Sequence, residues 1–262
     1  MKKTHAYVFC LSSILILSCF SSAAAQERTL FNAVSISPGI GFEYLSRTIN
    51  WDDDQYTSKL KSNYFTFDTE IELQGGLFVR AVLGFTTANY RSLVFRQLPL
   101  SVDLGEEIGY IGGYLLGAGI KKSIIHSEDL RIDLFGQFFY GIGSKKEWEI
   151  SELPVEGSLE GRPNWTKVTV GPVFTYTGFE TFFPYLYLNF NKFWGRFKMD
   201  ETIQDLEGSE TKKIKGESSF CVSLGLTYKI TESFSIKSEA RFLPYKDGID
   251  SGIMIKVMYS FY

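Results

Sequence analysis

Ser251-Gly-Ile-Met-Ile-Lys-Val-Met-Tyr-Ser-Phe-Tyr262 is the stretch from which the rest of the chain is read. Ile253, Ile255, Val257, Tyr259 and Phe261 fall on one face of an extended segment, and Met254, Lys256, Met258 and Ser260 on the other. Side chains alternate across a strand, so one face is apolar and aromatic while the other carries a charge. A soluble antiparallel strand with one wet face has the same pattern. The assignment therefore turns on whether the rest of the chain repeats it.

It does, in nine further segments of alternating character. The first sets Ile36, Ile40, Phe42 and Tyr44 against Ser37, Gly39, Gly41 and Glu43. The second sets Phe65, Phe67, Ile71 and Leu73 against Asp68, Glu70 and Glu72, and the third sets Val79, Ala81, Leu83 and Phe85 against Arg80. Comparable runs begin near Ile108, Leu130, Val168, Phe182, Phe220 and Phe234. Connections alternate in length. They are long at 47–62, 88–106, 144–164, 197–216 and 243–251, and short at 74–76, 121–129, 177–181 and 231–233. Long loops at one end and short turns at the other mark a bacterial membrane barrel. The expected fold is all-β: a single antiparallel up-and-down transmembrane β-barrel of about ten strands. Pro38, Pro172 and Pro184 lie within these segments, where each removes a ladder donor, so a bulge or shortened strand is expected at each. Residues 88–106 are too apolar for an ordinary outer loop and are expected to extend the third strand or to fold back over the mouth.

The closing stretch resembles the last strand of Gram-negative outer-membrane β-barrels, with its terminal aromatic and apolar alternate positions. The register departs by one residue, because the alternation leads to Phe261 and Tyr262 is an extra. The resemblance is to the small outer-membrane barrel superfamily over residues 34–262, with no specific family assigned. It implies insertion-machinery recognition through residues 252–262, contact with outer-membrane lipid and lipopolysaccharide, and a location in the bacterial outer membrane.

Lys2 and Lys3 precede an apolar run from Ala6 to Phe20, followed by Ala23-Ala24-Ala25 and polar Gln26-Glu27-Arg28. This reads as a signal peptide over residues 1–25, with the barrel occupying 26–262. A lipoprotein signal ending at Cys19 fits less well, and the run is short for a spanning helix. Without Lys2 and Lys3 the mature chain has 25 basic and 30 acidic residues, and no basic patch points to nucleic acid. Cys221 is then the one cysteine, so no internal disulfide forms. Separately, a monomer is expected.

A barrel this narrow is filled by side chains. Asp68, Glu70, Glu72, Arg80, Arg131, Asp133, Lys237, Glu239, Arg241 and Lys256 all fall on the inward face and are candidates for a structural charge network. Pairing Leu73 with Leu77 sets Arg80 opposite Glu70, and buried carboxylates need such partners. Setting Ile120 opposite Leu130 puts Gly117 opposite Asp133, and Gly113 opposite Gln137, so that glycines make room for larger neighbours. Trp51, Trp148, Trp165 and Trp194 fall near the expected outer strand ends, where an interfacial aromatic belt is expected.

Catalytic chemistry is sparse. His126 lies in a short turn, remote from the outer rim where outer-membrane hydrolases and acylases place their histidine base. Cys221 faces inward in mid-strand with no histidine partner. Asp52-Asp53-Asp54 reads as a solvated loop rather than a cation site, and Gly117-Ala-Gly119 and Gly141-Ile-Gly143 precede no helix as a phosphate loop requires. No cofactor or metal is expected. The sequence supports a non-enzymatic barrel with a structural or surface-interaction role. A narrow porin-like channel for small solutes is the alternative, and a lipid-modifying enzyme a more distant one.

Overall fold

The computed structural model describes residues 35–51, 57–91, 93–104, 109–149 and 157–261. The signal segment 1–25 with Cys19, Asp52-Asp53-Asp54, Glu107-Ile108 and Tyr262 lie outside the described residues. Fourteen strands follow in order: β1 (Ser35–Trp51), β2 (Thr57–Leu73), β3 (Leu77–Tyr90), β4 (Val94–Phe95), β5 (Val102–Asp103), β6 (Tyr110–His126), β7 (Leu130–Gly143), β8 (Lys146–Glu149), β9 (Gly157–Tyr176), β10 (Phe182–Ile203), β11 (Leu206–Gly216), β12 (Phe220–Lys229), β13 (Phe234–Tyr245) and β14 (Gly248–Tyr259).

Ten of them close an antiparallel ring in the order β1-β2-β3-β6-β7-β9-β10-β12-β13-β14 and back to β1. The seam runs from Gly39 opposite Met258 to Ser46 opposite Ser251, and Ile36 and Phe261 add two backbone hydrogen bonds beside it. At one end, the turn end, lie the short connections around 74–76, 127–129, 177–181 and 230–233.

The other end is built differently from the long loops the sequence implied. β9 has 20 residues and β10 has 22, well beyond the 9–11 that cross a membrane. The described residues of 47–62, 144–164 and 197–216 are largely strand, and the 243–251 connection is a two-residue turn at Lys246-Asp247. β10 pairs with β12 over Phe182–Phe190, then exchanges it for β11 from Trp194 to Ile203. β11 in turn pairs with the tip of β1, from Ile49 opposite Gly216 to Trp51 opposite Ile214. A second tier, the extended tier, therefore rises from one side of the ring, with β11 standing where β12–β14 have ended.

The alternation keeps its phase along each long strand, but its polarity inverts between tiers. On β1, Ile36, Ile40 and Phe42 point out near the turn end, whereas Leu45, Ile49 and Trp51 are buried beyond them. On β10, Phe190 is exposed, whereas Phe193, Phe197 and Met199 are buried. The cause is the solvent. Against lipid, apolar side chains gain nothing by turning inward, and the lumen can be polar. Where the strands stand in water, the hydrophobic effect fills the interior with apolar groups, each burial contributing about 1.5–3 kcal/mol.

Three further expectations change. β6 runs on through Lys121, Lys122 and Ser123 to His126 with a bulge between Ser123 and Ile125, so Ile120 faces Gly136 and Gly117 faces Phe139 instead of Asp133. The space-making role of glycine holds with these other partners: a Cβ on Gly117 would strike the Phe139 ring. No register shift occurs at the prolines. Pro38 precedes the first β1–β14 pair, Pro184 pairs in register with Leu226, and the β9–β10 ladder is interrupted between Val170 and Val173, around Pro172. Of residues 88–106, those described take both of the alternatives expected: β3 extends to Tyr90, and the β4–β5 hairpin folds over the mouth.

Candidate functional site

The lumen has two parts with opposite chemistry. In the extended tier, Trp51, Tyr90, Phe197, Met199 and Ile214 pack as one apolar core that continues down to Leu45, Tyr64 and Trp165. The β4–β5 hairpin closes it, with Leu93, Phe95 and Leu98 buried beneath. Two buried carboxylates hold that strap by its backbone. The Gln97 N–H donates to Glu210 at 2.7 Å, and the Leu100 N–H to Glu201 at 3.0 Å. Phe197 meets Trp51, Tyr90 and Phe95 at ring-centroid separations of 5.5–6.4 Å.

This corrects the placement of the tryptophans. Trp51 and Trp165 are 2 % and 4 % exposed and belong to the core, and Trp148 packs against it. Of the four tryptophans, only Trp194 faces outward, 39 % exposed. Placing tryptophan by strand end alone missed which face each residue takes.

Below the core, the ring encloses a cavity of about 360 Å³ that reaches down to Ser35, Glu72 and Ser260 beside the turn end. All ten charged residues singled out from sequence lie at it or directly behind it. Asp68, held behind the wall, pairs with Arg80 and with Lys256 Nζ at 2.8 Å. Arg80 does lie opposite Glu70, but Glu70 pairs with Lys121 at 3.1 Å. Arg131 pairs with Asp133 at 3.0 Å, and Glu72 accepts a hydrogen bond from Ser35. Glu239 accepts from Arg241 at 2.6 Å and from the Tyr185 hydroxyl at 2.7 Å. Lys237 lies 4.5 Å over the Tyr185 ring.

Sequence grouping missed three members. Glu43 receives both Arg241 and Lys167, the latter at 3.1 Å, and so joins β1 to β13 and β9 across the lumen. Glu43 and Lys167 stand on inward faces of their segments, but they are neighbours only through ring closure. Lys121, expected in the 121–129 turn, lies on β6, which runs on to His126. Cys221 is buried beside Ser223, and His126 is exposed at the turn end of β6.

A third cluster joins the tiers. Arg47, fully buried, donates to the Asn191 side-chain oxygen at 2.8 Å and to the Ser218 carbonyl at 2.5 Å. Nearby, buried Asp250 accepts from the Thr48 N–H at 2.6 Å and pairs with Lys59 at 2.6 Å.

No protein-family model matches the chain, and no curated protein sequence matches it. Solved structures do. The outer membrane protease OmpT from Escherichia coli superposes with a TM-score of 0.52 at 10 % identity, over 90 % of this chain and 99 % of that one. The attachment invasion locus protein Ail of Yersinia pestis matches at 14 % identity with a TM-score of 0.34, covering 87 % and 98 %. An outer membrane channel from Pseudomonas putida F1 matches at 8 % identity with a TM-score of 0.38, covering 90 % and 98 %. At such identities the likeness to OmpT speaks to fold alone.

Proposed function

We propose that this outer-membrane β-barrel is a non-enzymatic structural or surface-interaction protein whose extended tier stands on the cell surface. The fold is that of an outer-membrane β-barrel; the location in the bacterial outer membrane and the role there are our inference. The observation that carries it is the apolar core and strap in the extended tier. They occlude the lumen, which argues against a solute path, and they make the tier a rigid platform with a polar outer surface.

Two features support contact with lipopolysaccharide. Just beyond outward-facing Trp194, Arg196 stands opposite Lys213 and Lys198 opposite Arg162. All four are exposed, and Lys198 also pairs with Asp200 at 2.7 Å, so they form an outward-facing basic band that anionic headgroups at the upper edge of the apolar belt would complement. The exposed Ile253, Ile255, Tyr259 and Phe261 of the closing strand support recognition of residues 252–262 during insertion. Fold does not fix activity, and OmpT is a protease. The non-enzymatic reading is favoured because His126, the one histidine of residues 26–262, sits at the turn end.

Orientation is tested by labelling whole cells. In a Cys221→Ser background, a cysteine replacing Ser209 on exposed β11 is expected to react with an impermeant maleimide, and one replacing Ser127 only after lysis. The reverse pattern would invert the topology and remove the surface role. In planar bilayers, the folded protein is expected to give no steady single-channel conductance. Reproducible unitary steps would instead favour the channel.

A further inference from the structure

We infer that the cavity at the turn end is a binding site for a small phosphate-type anion that enters from that end. The inference is independent of any surface role for the extended tier. The cavity is blind: the apolar core closes it above, and its lower wall reaches the turns. Its volume of about 360 Å³ is within the range of small-molecule sites, about 300–1,000 Å³.

Its charge is unbalanced. Eight basic and four acidic side chains line it, and the two carboxylates paired with them from outside the lining, Asp68 and Glu43, leave two positive charges over. The excess is localised. Lys237 on β13 stands directly opposite Lys256 on β14, both pointing inward. Lys256 has Asp68, but Lys237 makes no ion pair among the described residues. Lys229, on the strand next to Lys237, likewise lies over an aromatic ring, that of Phe183, at 5.0 Å. A like-charge pair facing across a ladder is destabilising. Inside a barrel it is also partly desolvated, which makes an uncompensated ammonium costly.

A purely structural network would put a carboxylate where Lys237 points. What stands there is a polar cavity walled by Lys237, Lys256, Arg80 and Lys121, where the two nearby carboxylates, Glu70 and Glu239, are already engaged by Lys121 and Arg241. A tetrahedral dianion there would accept charge-assisted hydrogen bonds from several of these at once. The Tyr185 and Phe183 rings leave an apolar wall for an organic remainder.

The test is calorimetric titration of the full chain, folded in detergent micelles, with inorganic phosphate and separately with glycerol 3-phosphate. Chloride at equal ionic strength is the control. Saturable binding is expected, weakened at least tenfold in Lys237→Gln and unchanged in the outward-facing Arg196→Gln. Without phosphate, Lys237→Gln should unfold at the same or a higher denaturant concentration than wild type, because it relieves the like-charge pair. A merely structural lysine would lose stability instead. Tighter binding of the ester would identify an organic phosphate as the occupant, and equal binding the inorganic ion. The inference is overturned if wild type shows no saturable heat, leaving a water-filled cavity only. It is equally overturned if Lys237→Gln binds as well as wild type, or if chloride competes at equal ionic strength.

Discussion

Arg47→Ala is expected to cost roughly 3–5 kcal/mol and to release the extended tier from the ring. Arg47 sits where β1 leaves β14 for β11, where β10 exchanges β12 for β11, and where the chain turns from β11 into β12. Its guanidinium donates to the side chain and backbone oxygens of Asn191 and to the Ser218 carbonyl, and lies 5.2 Å over the Phe193 ring. Gly216 leaves it room, since a Cβ there would fall within 2.4 Å of its Nε. Truncation strands acceptors in a dry site, at about 1–3 kcal/mol each, and adds a cavity. Arg47→Met restores most of the volume but none of the donors, and should recover part of the loss. Urea unfolding in micelles and trypsin sensitivity of the β10–β11 hairpin provide the readouts. If Arg47→Ala lies within about 1 kcal/mol of wild type, the junction is not where the tiers are held together.

The ring was legible in the sequence because lipid imposes one rule along its whole height. Ile40, Phe65, Leu83, Leu224 and Ile255 must be apolar, and the residues between them are free to be polar. The extended tier was not legible by the same rule. Arg47-Thr-Ile-Asn-Trp51 and Phe193-Trp-Gly-Arg-Phe-Lys-Met199 also alternate, in unbroken phase, but with the apolar residue inward. A reading that seeks apolar-outward runs stops at the polarity change and reads the remainder as loop. The tryptophans went wrong for this reason, since Trp51 and Trp165 lie past the inversion.

The charge network shows a second limit. Arg80 opposite Glu70 followed from counting back from a turn, and the strands do pair that way. The ion pairs do not follow the ladder, because long side chains reach diagonally: Arg80 takes Asp68, and Lys256 meets Asp68 from two strands away. Glu43 with Lys167 joins segments 124 residues apart and depends on how many strands close the ring. No local pattern carries that information.

Leu224→Arg is expected to cost about 2–4 kcal/mol, while Thr202→Arg, equally outward-facing, should lie within about 0.5 kcal/mol of wild type. Leu224 is 54 % exposed near the middle of β12, between Leu186 of β10 and Ala240 of β13, and in the membrane that exposure is to hydrocarbon. An arginine there must snorkel or thin the bilayer. Thr202 lies near the end of β10, opposite Glu207 of β11, where the outward face is polar and meets water. A new guanidinium stays hydrated and gains a nearby carboxylate. The comparison separates facing from depth, because both changes add the same charge to the outside of the same sheet. Folding into vesicles, followed by the heat-modifiable gel band and by urea titration, gives the two values. Equal losses would mean that the two tiers share one solvent, and the apolar core of the extended tier would then need another cause. A loss only at Leu224 places the lipid boundary on β10 between Leu186, which faces Leu224, and Thr202.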